Sequence, residues 1–275
     1  MTVLSIKNSA KGLLKGYWLR SVTAVMLALA VSAIATILAE MALTLTETDF
    51  ESAVGYGVLL FGSAAGTFLS APIMLGYKRI LWLRAEGKAP SLSDVLYLFG
   101  SAKALWRYVG LYLLRGVLVL LPAAVLSAPV MIYANIFEGS VDLNAPLNDV
   151  SPLVALTALG CLLLVLVGIG LSGLQALRYM LSDYIFVDKE DWGIFDLLHA
   201  SSVICLKNSK LLINLFFSFF GWFLLNATGF GRLFTEPYYN AALACVAKEL
   251  LAQVEPDDKV DNTADFDGTL GGEQA

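Results

Sequence analysis

Only one histidine, His199, occurs in the 275 residues, and the three cysteines, Cys161, Cys205 and Cys245, have no paired spacing. A disulfide framework and a Cys/His metal knuckle are thereby excluded, and neither HExxH nor a nucleophile elbow is present. No catalytic, cofactor-binding or metal-ligating set is expected. Charge is also scarce. Charged residues make up 15% of the chain, against about 25% in a soluble domain. The basic residues gather at the ends of apolar runs and form no patch, so no nucleic-acid partner is expected.

Apolar residues take up the space. They are 58% of the chain, its mean hydropathy is +0.73, and they lie in long continuous runs. A helix needs about 20 such residues to cross about 30 Å of hydrocarbon. Six segments qualify or nearly so: 21–40, 56–75, 117–136, 152–173, 211–230 and 237–254. Because the runs do not alternate, helices rather than barrel strands are expected. The fold class is therefore all-α, a polytopic transmembrane helical bundle.

The first run follows Lys7, Lys11, Lys15 and Arg20. It is longer than the roughly 7–15 apolar residues of a cleavable signal, so it reads as a retained first span. The sixth is short, because Tyr238 to Ala247 reaches Lys248-Glu249 within ten residues. Pro237 is placed to open a helix at its first turn. The segment crosses the membrane, or it is re-entrant or interfacial and leaves five spans.

Orientation follows from charge. The loops 40–55 and 137–151 carry Glu40, Glu47, Asp49, Glu51, Glu138, Asp142 and Asp149 without a base, and all 18 basic residues except Arg232 fall on the other side. Both termini are expected in the cytoplasm. Residues 1–254 form one transmembrane domain, with short helices near 91–104 and 191–207 along the inner membrane surface. The tail 255–275 has seven acids and one lysine and is expected to be disordered.

Several motifs need weighing. "GIGLSG" at 168–173 matches a dinucleotide fingerprint, but it sits inside an apolar run with no strand to deliver it, so helix packing explains the glycines. Gly62 and Gly66 share a helix face and suit close approach of a neighbouring helix. Pro72, Pro122 and Pro129 interrupt spans two and three. Gln175, Arg178, Tyr179 and Asp183, with Asp188 beyond, extend span four as a polar stripe. It is either a face for headgroups or a partner, or a plain juxtamembrane stripe.

Residues 178–251 carry "RYMLSDYIFVD", "HASSVICLKNSK", "FFSFFGWFLLNATGFG" and "EPYYNAALACVAKELL". This resembles the bacterial integral membrane family catalogued as domain of unknown function number 975. The family pattern is kept at Ser218, Phe219, Gly221, Trp222, Thr228, Gly229, Gly231, Pro237 and Tyr238. It is left at Leu206 to Lys210, at Val167 and at Ala247-Lys248. The resemblance is strongest in the last hundred residues and implies a multi-pass protein of the bacterial cytoplasmic membrane without an assigned activity. The leading functional expectation is a non-enzymatic scaffold or partner-binding subunit, in contact with the bilayer and with a membrane protein or a second copy. A small transporter component is the alternative. A headgroup-modifying enzyme using Arg178, Asp183 and Asp188 is a third reading.

Overall fold

The computed structural model describes residues 2–137 and 152–253. Residues 138–151 of the expected acidic loop 137–151, and the tail 255–275, lie outside the described residues. All the described elements are helical: α1 (Val3–Leu14), α2 (Trp18–Leu45), α3 (Ala53–Ala85), a 3-10 helix (Leu92–Gly100), α4 (Ala102–Phe137), α5 (Pro152–Arg178), α6 (Ser182–Asp188), α7 (Ile194–Lys207), α8 (Ser209–Ser218), α9 (Phe220–Leu225), a 3-10 turn (Asn226–Thr228) and α10 (Arg232–Ala252).

Four stretches are long and apolar enough to cross a membrane: Trp18–Leu45, Ala53–Ala85, Ala102–Ile132 and Leu156–Asp188. They form two antiparallel hairpins, α2–α3 and α4–α5. In the first, Gly62 and Gly66 face α2. A Cβ on Gly66 would come within 2.7 Å of the Ser32 carbonyl oxygen, and one on Gly62 would collide with the Ala39 Cβ. In the second, Gly168 lies against Ala123 and Leu126, whereas Gly170 and Gly173 have open space around them. Close packing therefore accounts for only the first glycine of "GIGLSG". Beside Pro122, the Ala123 N–H donates to Ser172 Oγ at 3.2 Å, so the neighbouring helix supplies an acceptor at the proline.

The core lies at one end of the bundle. At 33 residues, α3 outruns the hydrocarbon, and its last turns bury Leu75, Tyr77, Ile80, Leu81 and Trp82. This is the basic end, where Lys78, Arg79 and Arg84 also lie. Ile6, Ala10 and Leu14 of α1 repeat at four-residue spacing and pack on α10. Nearly all of α6 is buried, with Tyr184, Ile185 and Phe186 at its centre. Each such side chain stabilises the fold by about 1.5–3 kcal/mol relative to water. Away from this end, leucines, isoleucines and phenylalanines of α2–α5 are exposed, as a lipid-facing surface requires.

Three sequence expectations change. Residues 211–230 do not form one helix. The Ser218 hydroxyl donates to the Leu215 carbonyl at 2.7 Å, and the Ser218 carbonyl accepts from Lys7 Nζ at 2.6 Å. A lysine from α1 thus serves the break between α8 and α9, and its ammonium lies 4.7 Å from the Phe219 ring centroid. Pro237 does not open the last helix, since α10 begins at Arg232. Residues 91–104 likewise divide into the 3-10 helix and the start of α4, with Ser101 extended between them. The 3-10 helix presses its Val95 carbonyl onto α3 where Gly76 has no side chain.

The C-terminal hairpin packs beside the basic ends of α2 and α3. Trp18 and Phe234 stack with centroids 6.3 Å apart, Tyr77 Oη donates to the Pro237 carbonyl at 3.4 Å, and Lys248 Nζ donates to the Ala85 carbonyl. Thus α10 runs parallel to the last turns of α3.

Gly66→Leu is expected to destabilise the α2–α3 hairpin by about 1–3 kcal/mol through overpacking. Gly57→Leu, on the same helix with nothing near its Cβ, should be neutral. Thermal unfolding in detergent separates the two, and equal melting temperatures would show that the close approach does not matter.

Candidate functional site

The site starts from a turn. Helix α5 ends at Arg178, and residues 179–181 wind more tightly before α6, with Ser182 N–H donating to the Tyr179 carbonyl at 3.2 Å. Ser182 Oγ donates to the same carbonyl at 2.8 Å. This turn buries Asp183 between α3 and α4. Asp183 Oδ2 accepts from Lys78 Nζ at 2.6 Å, and Oδ1 accepts from Arg115 Nη1, also at 2.6 Å. Arg115 Nη1 donates to Ser182 Oγ as well, at 3.0 Å. The carboxylate side chain is 2% exposed and the two cations 18% and 19%, so the acid is deep and the bases lie nearer the surface. A buried carboxylate is tolerated where cations and hydrogen bonds replace its water.

The cations line a cleft of about 1350 Å³ between the two hairpins, closed at its basic end by α6 and α10. Further along, its walls are Phe61, Ala65 and Phe68 of α3 and Val117, Leu120 and Leu121 of α4. On the C-terminal side Phe216, Phe223, Glu236, Tyr239 and Asn240 complete it. Glu236 is engaged at both oxygens, by Arg232 Nε at 3.3 Å and Asn240 Nδ2 at 3.1 Å. The Asn240 carbonyl accepts from buried Tyr184 Oη at 2.8 Å, tying α10 to α6. The volume exceeds the roughly 300–1,000 Å³ of small-molecule pockets. One end is ionic and the rest is hydrocarbon, which suits an amphiphile.

Of the expected polar stripe, Tyr179 and Asp183 reach this cleft. Arg178 Nη1 donates to Gln175 Oε1 at 3.3 Å away from it, and Asp188 pairs with neighbouring Lys189 at 3.2 Å. Sequence reasoning does not single out Lys78, Arg115, Glu236 or Asn240 as site residues. Lys78 and Arg115 serve there only to orient the spans. The available signal is that an acid and two bases sit at the same ends of three apolar runs, where an unpaired charge is costly.

The family-pattern residues assemble a corner beside the cleft. Trp222 and Phe219 pack edge-on to Tyr238, with centroids 5.5 and 4.9 Å away. The Trp222 carbonyl accepts from Thr235 Oγ1 at 3.0 Å. Thr228 Oγ1 donates to the Leu225 carbonyl and accepts from Gly231 N–H. Gly229 has φ +73°, and a Cβ on Gly231 would strike the Leu225 carbonyl. Gly221 has open space, and Ser218 and Pro237 take part through the hydrogen bonds given above. His199 is exposed on α7, while Cys205 is buried on the same helix, and burial pushes its thiol pKa up.

Asp183→Ala leaves Lys78 and Arg115 facing one another without their counter-ion, and should destabilise the protein by about 3–5 kcal/mol. Lys78→Met should cost less, because Arg115 still answers the carboxylate. The expected order in thermal unfolding is wild type, then Lys78→Met, then Asp183→Ala.

Comparison with curated proteins and with solved structures gives no match. A family model described as a protein of unknown function, DUF975, matches residues 1–252. The match takes in α1 to α5 as well as the C-terminal hundred residues, where the resemblance is strongest in the sequence. On that coverage, the chain belongs to the DUF975 family of proteins of unknown function.

Proposed function

We propose that this chain is a non-enzymatic, multi-pass protein of the bacterial cytoplasmic membrane, and that its cleft holds an amphiphilic membrane component as partner. The observation carrying this reading is the 1350 Å³ cleft with Lys78, Asp183 and Arg115 at one end and apolar walls along the rest. A molecule with a polar head and a hydrocarbon chain matches both surfaces at once, and it can enter from the bilayer between the hairpins. A route for a polar solute would need polar groups further up the walls. The described residues there include Phe61, Ala64, Ala65, Phe68, Val117 and Leu121, and the one hydroxyl among the α3 wall residues, on Thr67, is turned back to the Ser63 carbonyl at 2.9 Å. Binding is therefore preferred to transport.

The topology that goes with this reading has four spans, α2, α3, α4 and α5 with α6. The hairpin from α8 to α10 enters and leaves at the basic end without crossing. Support comes from the hydrogen bonds that hold α10 beside Tyr77 and Ala85, and from the bases flanking the spans. The positive-inside rule then puts both termini in the cytoplasm. The 3-10 helix Leu92–Gly100 and α7 would lie along the inner membrane surface.

Two measurements check these points. A fluorescent reporter that matures only in the cytoplasm, fused after Ala275, should be bright; a dark fusion would point to an odd number of crossings. Gly116 lines the cleft and a Cβ there meets nothing within 4 Å. Gly116→Phe should therefore fill the space without disturbing the fold. Native mass spectrometry of the wild type released from mild detergent should show a retained lipid, lost or much reduced in Gly116→Phe. A wild type that retains no lipid would overturn the reading.

A further inference from the structure

Within the cleft, hydrogen-bond donors outnumber free acceptors. Lys78 Nζ has three N–H groups and gives one to Asp183, while Arg115 engages Asp183 and Ser182 through Nη1 alone. Tyr112 and Tyr179 line the same cavity and add two phenolic hydroxyls, each able to donate. Both carboxylates are already engaged. Each Asp183 oxygen holds a cation, and the two Glu236 oxygens hold Arg232 and Asn240. With Glu236 balanced by Arg232, Lys78 and Arg115 share the one carboxylate of Asp183, which leaves one positive charge at the floor. Such a site complements an anion rich in acceptor oxygens.

The apolar walls say what the anion is attached to. From Phe61 to Lys78 the cleft follows one helix for 17 residues, about 26 Å at 1.5 Å per residue. One leaflet of hydrocarbon is about 15 Å deep, half the bilayer core. A lipid chain can thus lie along the wall while its head reaches the charged floor.

We infer that the cleft takes an anionic phospholipid, with its phosphate at Lys78, Arg115, Tyr112 and Tyr179 and an acyl chain against Phe61, Phe68 and Leu121. This rests on the reading of the cleft as an amphiphile site and adds the chemistry of the head. A choline head would place a cation beside Lys78 and Arg115. Its one favourable contact there would be with the aromatic rings. Free phosphate matches the floor but leaves the walls without a partner.

The test uses the purified full chain, delipidated in mild detergent. Binding is followed by native mass spectrometry and thermal shift with dioleoyl phosphatidylglycerol, dioleoyl phosphatidylcholine and inorganic phosphate as separate probes. Phosphatidylglycerol should bind at least about tenfold more tightly than phosphatidylcholine, a gap of about 1.4 kcal/mol. Inorganic phosphate at millimolar concentration should neither stabilise the protein nor displace the lipid. The double variant Tyr112→Phe/Tyr179→Phe keeps both rings and removes both hydroxyls. It should lose about fivefold or more in phosphatidylglycerol affinity, the scale of one or two hydrogen bonds, with phosphatidylcholine unchanged. Equal binding of the two lipids, or tighter binding of phosphatidylcholine, would overturn the anionic head but leave the amphiphile site standing. Stabilisation by inorganic phosphate equal to that by lipid would overturn the lipid source. Retention of neither lipid would sink both the head assignment and the amphiphile site.

Discussion

Asp183 is the carboxylate on which the basic end of this bundle is organised. It is held from two sides by bases that come from different hairpins, Lys78 on α3 and Arg115 on α4. The two hairpins touch each other little elsewhere, so this ion pair joins them together with the packing of α6 and of the 3-10 helix Leu92–Gly100, which lies against both α3 and α4. Burial of a charge of this kind is costly unless both oxygens are satisfied. Once they are, the distance between α3 and α4 is set at that level. Among the described residues farther along the hairpins nothing comparable draws them together, and the cleft opens there.

The short turn between α5 and α6 lies next to this carboxylate, and the cleft-lining positions Ala176, Tyr179, Met180 and Asp183 keep one helical face across it. Past the tighter winding over 179–181, with Ser182 bonded back to the Tyr179 carbonyl, Asp183, Tyr184 and Phe186 all enter the core. Tyr184 then reaches the Asn240 carbonyl, Tyr77 reaches the Pro237 carbonyl, and α10 is fixed against α3 and α6. Contacts hold α10 at the basic end, and its composition agrees: its 21 residues are long enough to span but too mixed in hydropathy.

Much of this was legible in the sequence where lipid is the solvent. The four apolar runs that became α2 to α5 needed only length and hydropathy, and Gly62 and Gly66 needed only their spacing. Residues 211–230 show where that reasoning stops. Their composition matches a span, yet continuity is broken at Ser218 and Phe219 by a lysine some 211 positions away in sequence. No local count contains that partner. Asp183 could be singled out as a charge near membrane depth, but Lys78 and Arg115 were visible only as orientation signals. The pairing of three charges from three runs is a tertiary fact. Of the stripe from Gln175 to Asp188, two residues face the cleft and three do not, because the cleft-lining face runs through Ala176, Tyr179, Met180 and Asp183 and leaves Gln175, Arg178 and Asp188 off it.

The corner formed by α8, α9 and α10 bears on how the cleft is closed on its third side. Gly229 has a positive φ and Gly231 leaves room for the Leu225 carbonyl, so the chain reverses within a few residues. The reversal brings Phe219 and Trp222 onto Tyr238, and Phe223 onto Tyr239 with centroids 5.1 Å apart. Rings that pack edge-to-face add about 0.5–1.5 kcal/mol per pair beyond their area burial. Tyr239 and Phe223 are also cleft residues. The family-pattern positions therefore form the support of one wall rather than the contact surface itself. The opposite wall is built by α4 with Ala176 of α5, helices that pack on one another as the second hairpin. A molecule that seats on Lys78 and Arg115 would thus lie between an aromatic wall and a largely aliphatic one.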